Sequence, residues 1–249
     1  MCGIAGVFLP GGNQTVEPEL LERMTRALKH RGPDDEGYLR EGPVALGHRR
    51  LAIIDLNTGH QPMRSADGSL AIVFNGEIYN FREIRRELEQ RGHCFQTQSD
   101  TEVILESYAA WGKKCVSRLR GMFAFAIWDA RSRTLFLARD RVGIKPLYYA
   151  WDGGCFRFGS EIKALLEDRS LRATLDHAAL DDYLSYLYVP APRTIFREIR
   201  KLRPGHTLTV SRAGVVEEEY WDLQFRPRRD ASVDDWAAGL RQTLGESVA

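Results

Sequence analysis

At 249 residues, with 43% apolar and 28% charged residues, the chain has an ordinary globular composition and enough length to bury one large core or two small ones. Thirty-five Lys and Arg against 34 Asp and Glu leave a net charge of +1, which gives no sign of a nucleic-acid surface or an anionic-membrane anchor, so a small polar ligand is the simpler expectation. Cys2, Cys94, Cys115 and Cys155 form no CxxC pair, the longest apolar run (122–128) is too short to span a membrane, and no secretion signal opens the chain. A reducing, cytoplasmic setting is expected.

The chain opens Met1-Cys2-Gly3-Ile4-Ala5-Gly6. If Met1 is removed, Cys2 carries a thiol and a free α-amine on one carbon, a nucleophile with its own base: thiols ionise near 8.5 and α-amines near 7.7 to 8.0. The alternative is a small buried hydrophobe. The run 4–8 predicts a buried strand ended by Pro10-Gly11-Gly12, and 18–30 an amphipathic helix with Leu20, Leu21, Met24 and Leu28 on one face. A loop at 30–37, HRGPDDEG, follows, then a strand at 44–48. Arg49 and Arg50 come next; a guanidinium suits bidentate recognition of a carboxylate, although a solvated basic pair would look the same.

The segment 70–81 reads as a strand running into Asn75-Gly76-Glu77, either a tight turn or a side-chain amide beside an exposed backbone N–H, the two donors of an oxyanion hole. Helices are expected at 81–91 and 98–112, each closed by a glycine, with Ser99 or Asp100 as N-cap of the second. Asp100 is either that cap or an anchor for an amine. The segments 121–129 and 134–140 predict a hairpin, followed by strands at 145–149 and 155–160; runs apolar on both faces imply a sheet covered twice. Helices are expected at 160–167 and 176–188, the latter with Ala179, Leu180, Tyr183, Leu184 and Leu187 as its buried stripe. A turn and a strand follow at 199–210, then a linker at 225–230. The last helix, from Ser232, carries Val233, Trp236, Leu240 and Leu244 on one face, as though separated from a packing partner. The six histidines show no metal-ligand spacing, and no phosphate loop is present. A couple of Cys2 with His30 or His48 remains open.

Eight motifs in order, MCGIAGVF (1–8), RGPDDEG (31–37), RRLAIIDL (49–56), FNGEIYNF (74–81), SDTEVI (99–104), GMFAFAIWD (121–129), RDRVGIKPLYY (139–149) and GSEIKAL (159–165), closely resemble the glutamine-hydrolysing domain of the asparagine synthetase family, an N-terminal-nucleophile amidotransferase. The resemblance implies an α+β fold, a four-layer αββα sandwich of mainly antiparallel sheets, over residues 1–223, with 224–249 a linker and the start of an absent synthetase domain. It implies that Cys2 attacks the glutamine amide, that Asn75 and Gly76 stabilise the oxyanion, and that Arg50 holds the α-carboxylate while Glu77 and Asp100 bind the α-ammonium; Leu51 and Ile53 complete the glutamine site. Arg49 is the reserve for Arg50. No metal or cofactor is implied for this domain; ATP and Mg belong to the synthetase domain, whose SGGxDS-type loop is missing here. The resemblance leaves the ammonia acceptor as aspartate or another carboxylate or sugar and implies glutamine, the synthetase domain and a second copy of the chain as partners, and the competing class is a non-catalytic glutamine-binding or docking module.

Overall fold

The computed structural model describes every residue except 13, 52–58, 226, 228–230 and 249. Its strands are β1 (Gly3–Phe8), β2 (Asp35–Glu41), β3 (Val44–Arg50), β4 (Met63–Arg64), β5 (Leu70–Ile78), β6 (Gly121–Asp129), β7 (Thr134–Arg139), β8 (Tyr148–Trp151), β9 (Phe156–Gly159), β10 (Ile199–Lys201), β11 (His206–Ser211) and β12 (Gly214–Glu219). Its α-helices are α1 (Pro18–Arg26), α2 (Phe81–Gln90), α3 (Asp100–Trp111), α4 (Ile162–Leu166), α5 (His177–Tyr186) and α6 (Val233–Val248). Two six-stranded antiparallel sheets form, in the orders β10-β8-β9-β1-β3-β2 and β12-β11-β7-β6-β5-β4.

Side chains alternate across a strand, so each apolar run feeds two layers. In β6, Ala124, Ala126 and Trp128 enter the core between the sheets, while Phe123, Phe125 and Ile127 face the helices α2 and α3. In β1, Ile4 and Phe8 join the intersheet core, whereas Ala5 and Val7 pack on Leu20, Leu21 and Met24 of α1. The result is a helix–sheet–sheet–helix sandwich, the four-layer α+β arrangement expected. Each fully buried phenylalanine, among them Phe8, Phe123, Phe125 and Phe158, contributes about 1.5–3 kcal/mol of transfer free energy.

The differences from expectation have local causes. Helix α1 stops at Arg26, four residues before His30, and the chain to Gly32 continues as turns. The expected loop at 30–37 runs into β2, whose two inward residues, Gly37 and Leu39, carry too little apolar signal to reveal an edge strand. The acidic β12 is missed for the same reason. Asn75-Gly76 is no turn: β5 continues to Ile78, paired throughout with β6. Asp176 caps α5 as expected, accepting from the N–H groups of Ala178 and Ala179, but only Ala179 of the expected stripe is buried, with Leu184 70% and Leu187 81% exposed. Helix α6 has no buried residue.

Candidate active site

Strand parity aims Cys2 into the molecule. It directly precedes β1 and shares the even register of Ile4, so its side chain begins the face that looks toward the second sheet. The thiol is half-buried and is bracketed by Leu51: its Sγ donates to the Leu51 carbonyl at 3.7 Å and accepts from the Leu51 N–H at 3.4 Å. Arg31, ion-paired to Glu161 at 2.9 Å, donates from Nε to the Cys2 carbonyl at 2.9 Å and so fixes the backbone beneath the thiol. Burial pushes the thiol pKa up; the Leu51 N–H, the chain's amino terminus and Arg50 pull it back, and Asp100 opposes them. Met1, 55% exposed, lies at the same pocket.

The donors opposite come from the hydrogen-bond alternation of β5. Phe123 commits both backbone groups to Asp140, its N–H donating to the carboxylate Oδ2 and its carbonyl accepting from the Asp140 N–H, so its ladder partner Gly76 directs its own N–H away from β6. The same outward row carries the Phe74 N–H, held by Gln61 Oε1 at 2.7 Å, and the Ile78 N–H, held by Asp100 Oδ2 at 3.0 Å. Between them, Gly76 N–H has no acceptor among the described residues. The glycine is obligatory, since a Cβ there would lie 2.2 Å from the Met122 carbonyl oxygen. Asn75, of opposite parity, is 1% exposed, and its Nδ2 is buried without a partner among the described residues. A buried amide donor left unsatisfied is costly, and its position on the pocket wall with Cys2 is the mark of a missing acceptor.

Parity also separates the two arginines. Arg49 turns to the outer face, donating to the Gly32 carbonyl at 3.1 Å and pairing with Glu36, whereas Arg50 has the register of His48 and Leu46 and lines the pocket. Arg50 therefore stands where expected and the reserve Arg49 does not. Glu77 lines the pocket with no hydrogen-bonded or ion-paired partner among the described residues. Asp100 is the first residue of α3, not its cap; Ser99 caps the helix by accepting from the Thr101 N–H at 3.2 Å. Burial raises the Asp100 pKa to about 6; Glu77's like charge adds to this, and the Ile78 and Thr101 N–H groups restrain it.

Cys2, Arg50, Leu51, Asn75, Gly76, Glu77 and Asp100 thus line one cavity of about 160 Å³. Ile53 lies outside the described residues. Neither candidate histidine engages the thiol: His48 is fully buried on the Phe74 carbonyl at 3.1 Å, burial forcing its pKa down to about 3, and His30 is tied to Glu161 at 2.9 Å. The sequence reading missed Gln61, which bridges Phe74 to Thr101, and Lys145, a buried lysine on the pocket wall. Only the presence of Lys145 inside the RDRVGIKPLYY motif marked it. Among the described residues no group of His, Cys, Asp or Glu could hold a metal ion, and no helix is long and apolar enough to cross a membrane.

A cysteine thiol on an antiparallel four-layer sandwich, in one pocket with donors that have no acceptor among the described residues, fits the class of glutamine amidotransferases. Residues 1–221 match the glutamine amidotransferase domain model, and the chain belongs to that family. It is 42% identical, over its whole length, to asparagine synthetase [glutamine-hydrolyzing] 3 of Bacillus subtilis, covering 41% of that protein. It is 43% identical over 82% of its length to a putative asparagine synthetase [glutamine-hydrolyzing] of Mycobacterium tuberculosis, of which it covers 34%. The chain thus spans about two fifths or less of these relatives. Among solved structures, glutamine phosphoribosylpyrophosphate amidotransferase from B. subtilis superposes with a TM-score of 0.65 at 22% identity, covering 94% of this chain and 55% of that one, which shows a shared fold.

Proposed function

We propose that this chain hydrolyses the side-chain amide of glutamine to glutamate and ammonia through a thioester on Cys2. The observation that carries the reading is the orphaned Asn75 Nδ2, buried on the wall of a pocket that also holds Cys2, one guanidinium and two carboxylates. Glutamine brings one fixed anion and one fixed cation. Arg50 takes the α-carboxylate, and Glu77 and Asp100 take the α-ammonium, which leaves the amide carbon against Sγ. As the C–S bond forms, the carbonyl oxygen becomes an anion facing Asn75 Nδ2 and the Gly76 N–H. The α-amine of Cys2 accepts the thiol proton and returns it to the departing nitrogen, so ammonia leaves as the C–N bond breaks, and water then cleaves the thioester. This route needs Met1 removed, because a peptide bond to Met1 makes that nitrogen an amide.

The amidotransferase unit is residues 1–223, with 224–249 leading into a synthetase portion that consumes the ammonia with ATP and Mg. The family match ending at residue 221 and the relatives' greater length support this division. The relatives are named asparagine synthetases, and asparagine is aspartate amidated at its side chain, so aspartate is the acceptor in this reading. A second reading is a different acceptor, since a 34% identical relative from Penicillium rubens carries another name, amidase chyE. The test joins intact mass to glutamate and ammonia release on one sample. Loss of Met1, turnover of glutamine and its abolition in Cys2→Ala with an unchanged fold are expected. Release at the wild-type rate from Cys2→Ala would refute the mechanism.

A further inference from the structure

The charge of the pocket does not close with the residues assigned above. Bound glutamine is neutral overall; its α-carboxylate is answered by Arg50, but its single α-ammonium faces two carboxylates, Glu77 and Asp100. Among the described residues one negative charge is left over in a half-enclosed site. The thiolate and then the tetrahedral oxyanion are each matched by the α-ammonium that Cys2 gains with the thiol proton, so that carboxylate still lacks a counter-charge and its field opposes the new anion.

Lys145 is placed to answer this. It is 5% exposed, lines the same pocket, and its ammonium has no acceptor among the described residues. Its stem is buried, but its ammonium is not among the enclosed side-chain atoms that lack a partner, so the charge is accessible. Its position is held firmly. The fully buried Asp140 accepts from the Lys145 N–H at 2.9 Å and from the Phe123 N–H at 3.2 Å through the same oxygen, Oδ2, and from the Ile144 N–H at 2.9 Å through Oδ1. Arg139 locks the loop further, donating to the Lys145 carbonyl at 2.8 Å and the Gly143 carbonyl at 2.8 Å. Phe123 is the ladder partner of Gly76, so the Asp140 clamp ties the Lys145 backbone to β6, the strand next to β5.

We propose that Lys145 is a further electrostatic residue of this pocket, the cation that offsets the second carboxylate and favours the anion formed at Cys2 and at the amide oxygen. The inference rests on the glutaminase reading for its catalytic part only. The charged groups that act on the thiol are the chain's amino terminus, Arg50 from β3 and Asp100 from α3, with Arg31 and Glu161 behind the Cys2 backbone, and Glu77 from β5 and Lys145 from the loop after β7 line the same pocket. Lys145 is the pocket-lining side-chain cation among them that glutamine does not itself match.

The test uses the full chain as wild type, Lys145→Met and Lys145→Arg, with thermal unfolding to show that each folds. Alkylation of Cys2 by iodoacetamide is followed from pH 6 to 9 by peptide mass spectrometry, which resolves Cys2 from the exposed Cys94. Lys145→Met should slow Cys2 alkylation at pH 7 about threefold or more and move its profile to higher pH, while Lys145→Arg stays near wild type. With glutamine, Lys145→Met should lose about tenfold in kcat with KM changed by less than about threefold, and Lys145→Arg should recover most of it. Alkylation and kcat both within twofold of wild type in Lys145→Met would overturn the inference, as would a raised KM with unchanged kcat. A shift in alkylation without glutamine turnover in any variant would uphold the place of Lys145 and defeat the glutaminase reading instead.

Discussion

Replacing Asp100 by Asn should make the empty protein more stable and the glutamine-bound one less so. Asp100 is 4% exposed, and its carboxyl holds its proton up to about pH 6, against an ordinary 3.8. The folded chain therefore binds this proton more tightly than the unfolded chain, and stability falls as pH rises between those values. The difference corresponds to about 3 kcal/mol, absent below pH 4 and complete above pH 7. Asn keeps an oxygen for the Ile78 N–H and does not ionise. The assay is urea unfolding of both proteins from pH 4 to 8 without ligand, reading the change in their stability difference, which cancels any pH-independent effect of the amide on packing. The variant should gain about 3 kcal/mol relative to wild type across that range. With glutamine, loss of a charge-assisted contact of about 1.5–3 kcal/mol should raise KM about 10-fold to 100-fold. A stability difference flat with pH would refute the burial argument, and an unchanged KM would make Asp100 a structural residue alone.

Asn75→Ala should lower kcat by about 100-fold to 1000-fold with little change in KM, because the buried Nδ2 meets its acceptor only when the oxyanion forms; a matching rise in KM would place the contact in the ground state. Gly76→Ala should cost both stability and activity, since the added Cβ meets the Met122 carbonyl oxygen at 2.2 Å and the Phe123 Cα at 2.8 Å, and calorimetry showing a wild-type midpoint would contradict that geometry. Arg157→Met should destabilise by about 3–5 kcal/mol, as Arg157 is 3% exposed and pairs with Asp168 and, at 2.7 Å, with Asp152. Against the upward push of burial, hydrogen bonds from Ser170 and Arg157 hold the Asp168 carboxyl below its ordinary range, so the Arg157→Met loss should be full at neutral pH and shrink as acid protonates the carboxylates below about pH 4. Chemical denaturation at pH 7 and pH 3 checks both statements.

Much of the site was legible because its residues sit on strongly patterned strands. Side chains alternate in direction along 44–50 and 70–78, which separates Arg50 from Arg49 and Asn75 from Gly76 once the inward face of each strand is known, although both strands are buried nearly throughout. The sequence left Ser99 and Asp100 as alternative caps, and the structure gives the cap to Ser99 while Asp100 accepts from the Ile78 N–H. What stayed illegible was long-range. Gln61 and Lys145 reach the pocket through Phe74, Thr101 and the Asp140 clamp, contacts between segments 13 to 40 positions apart that leave no periodic trace.

The sequence by itself determined the strands and helices whose apolar spacing is strong and the doubly covered sheets, because local patterning follows from short-range sterics and burial, whereas the residues grouped around Cys2 came from the family resemblance. It misjudged α5, whose apolar stripe is regular, since periodicity states which residues share a face and not whether anything covers it. Only the tertiary structure decided that the Asn75-Gly76 pair stays in a strand, that its outward N–H row is occupied on both sides of Gly76, and that an ammonium joins the pocket. Each of those depends on how two sheets and two loops meet in space, which no single stretch of chain encodes.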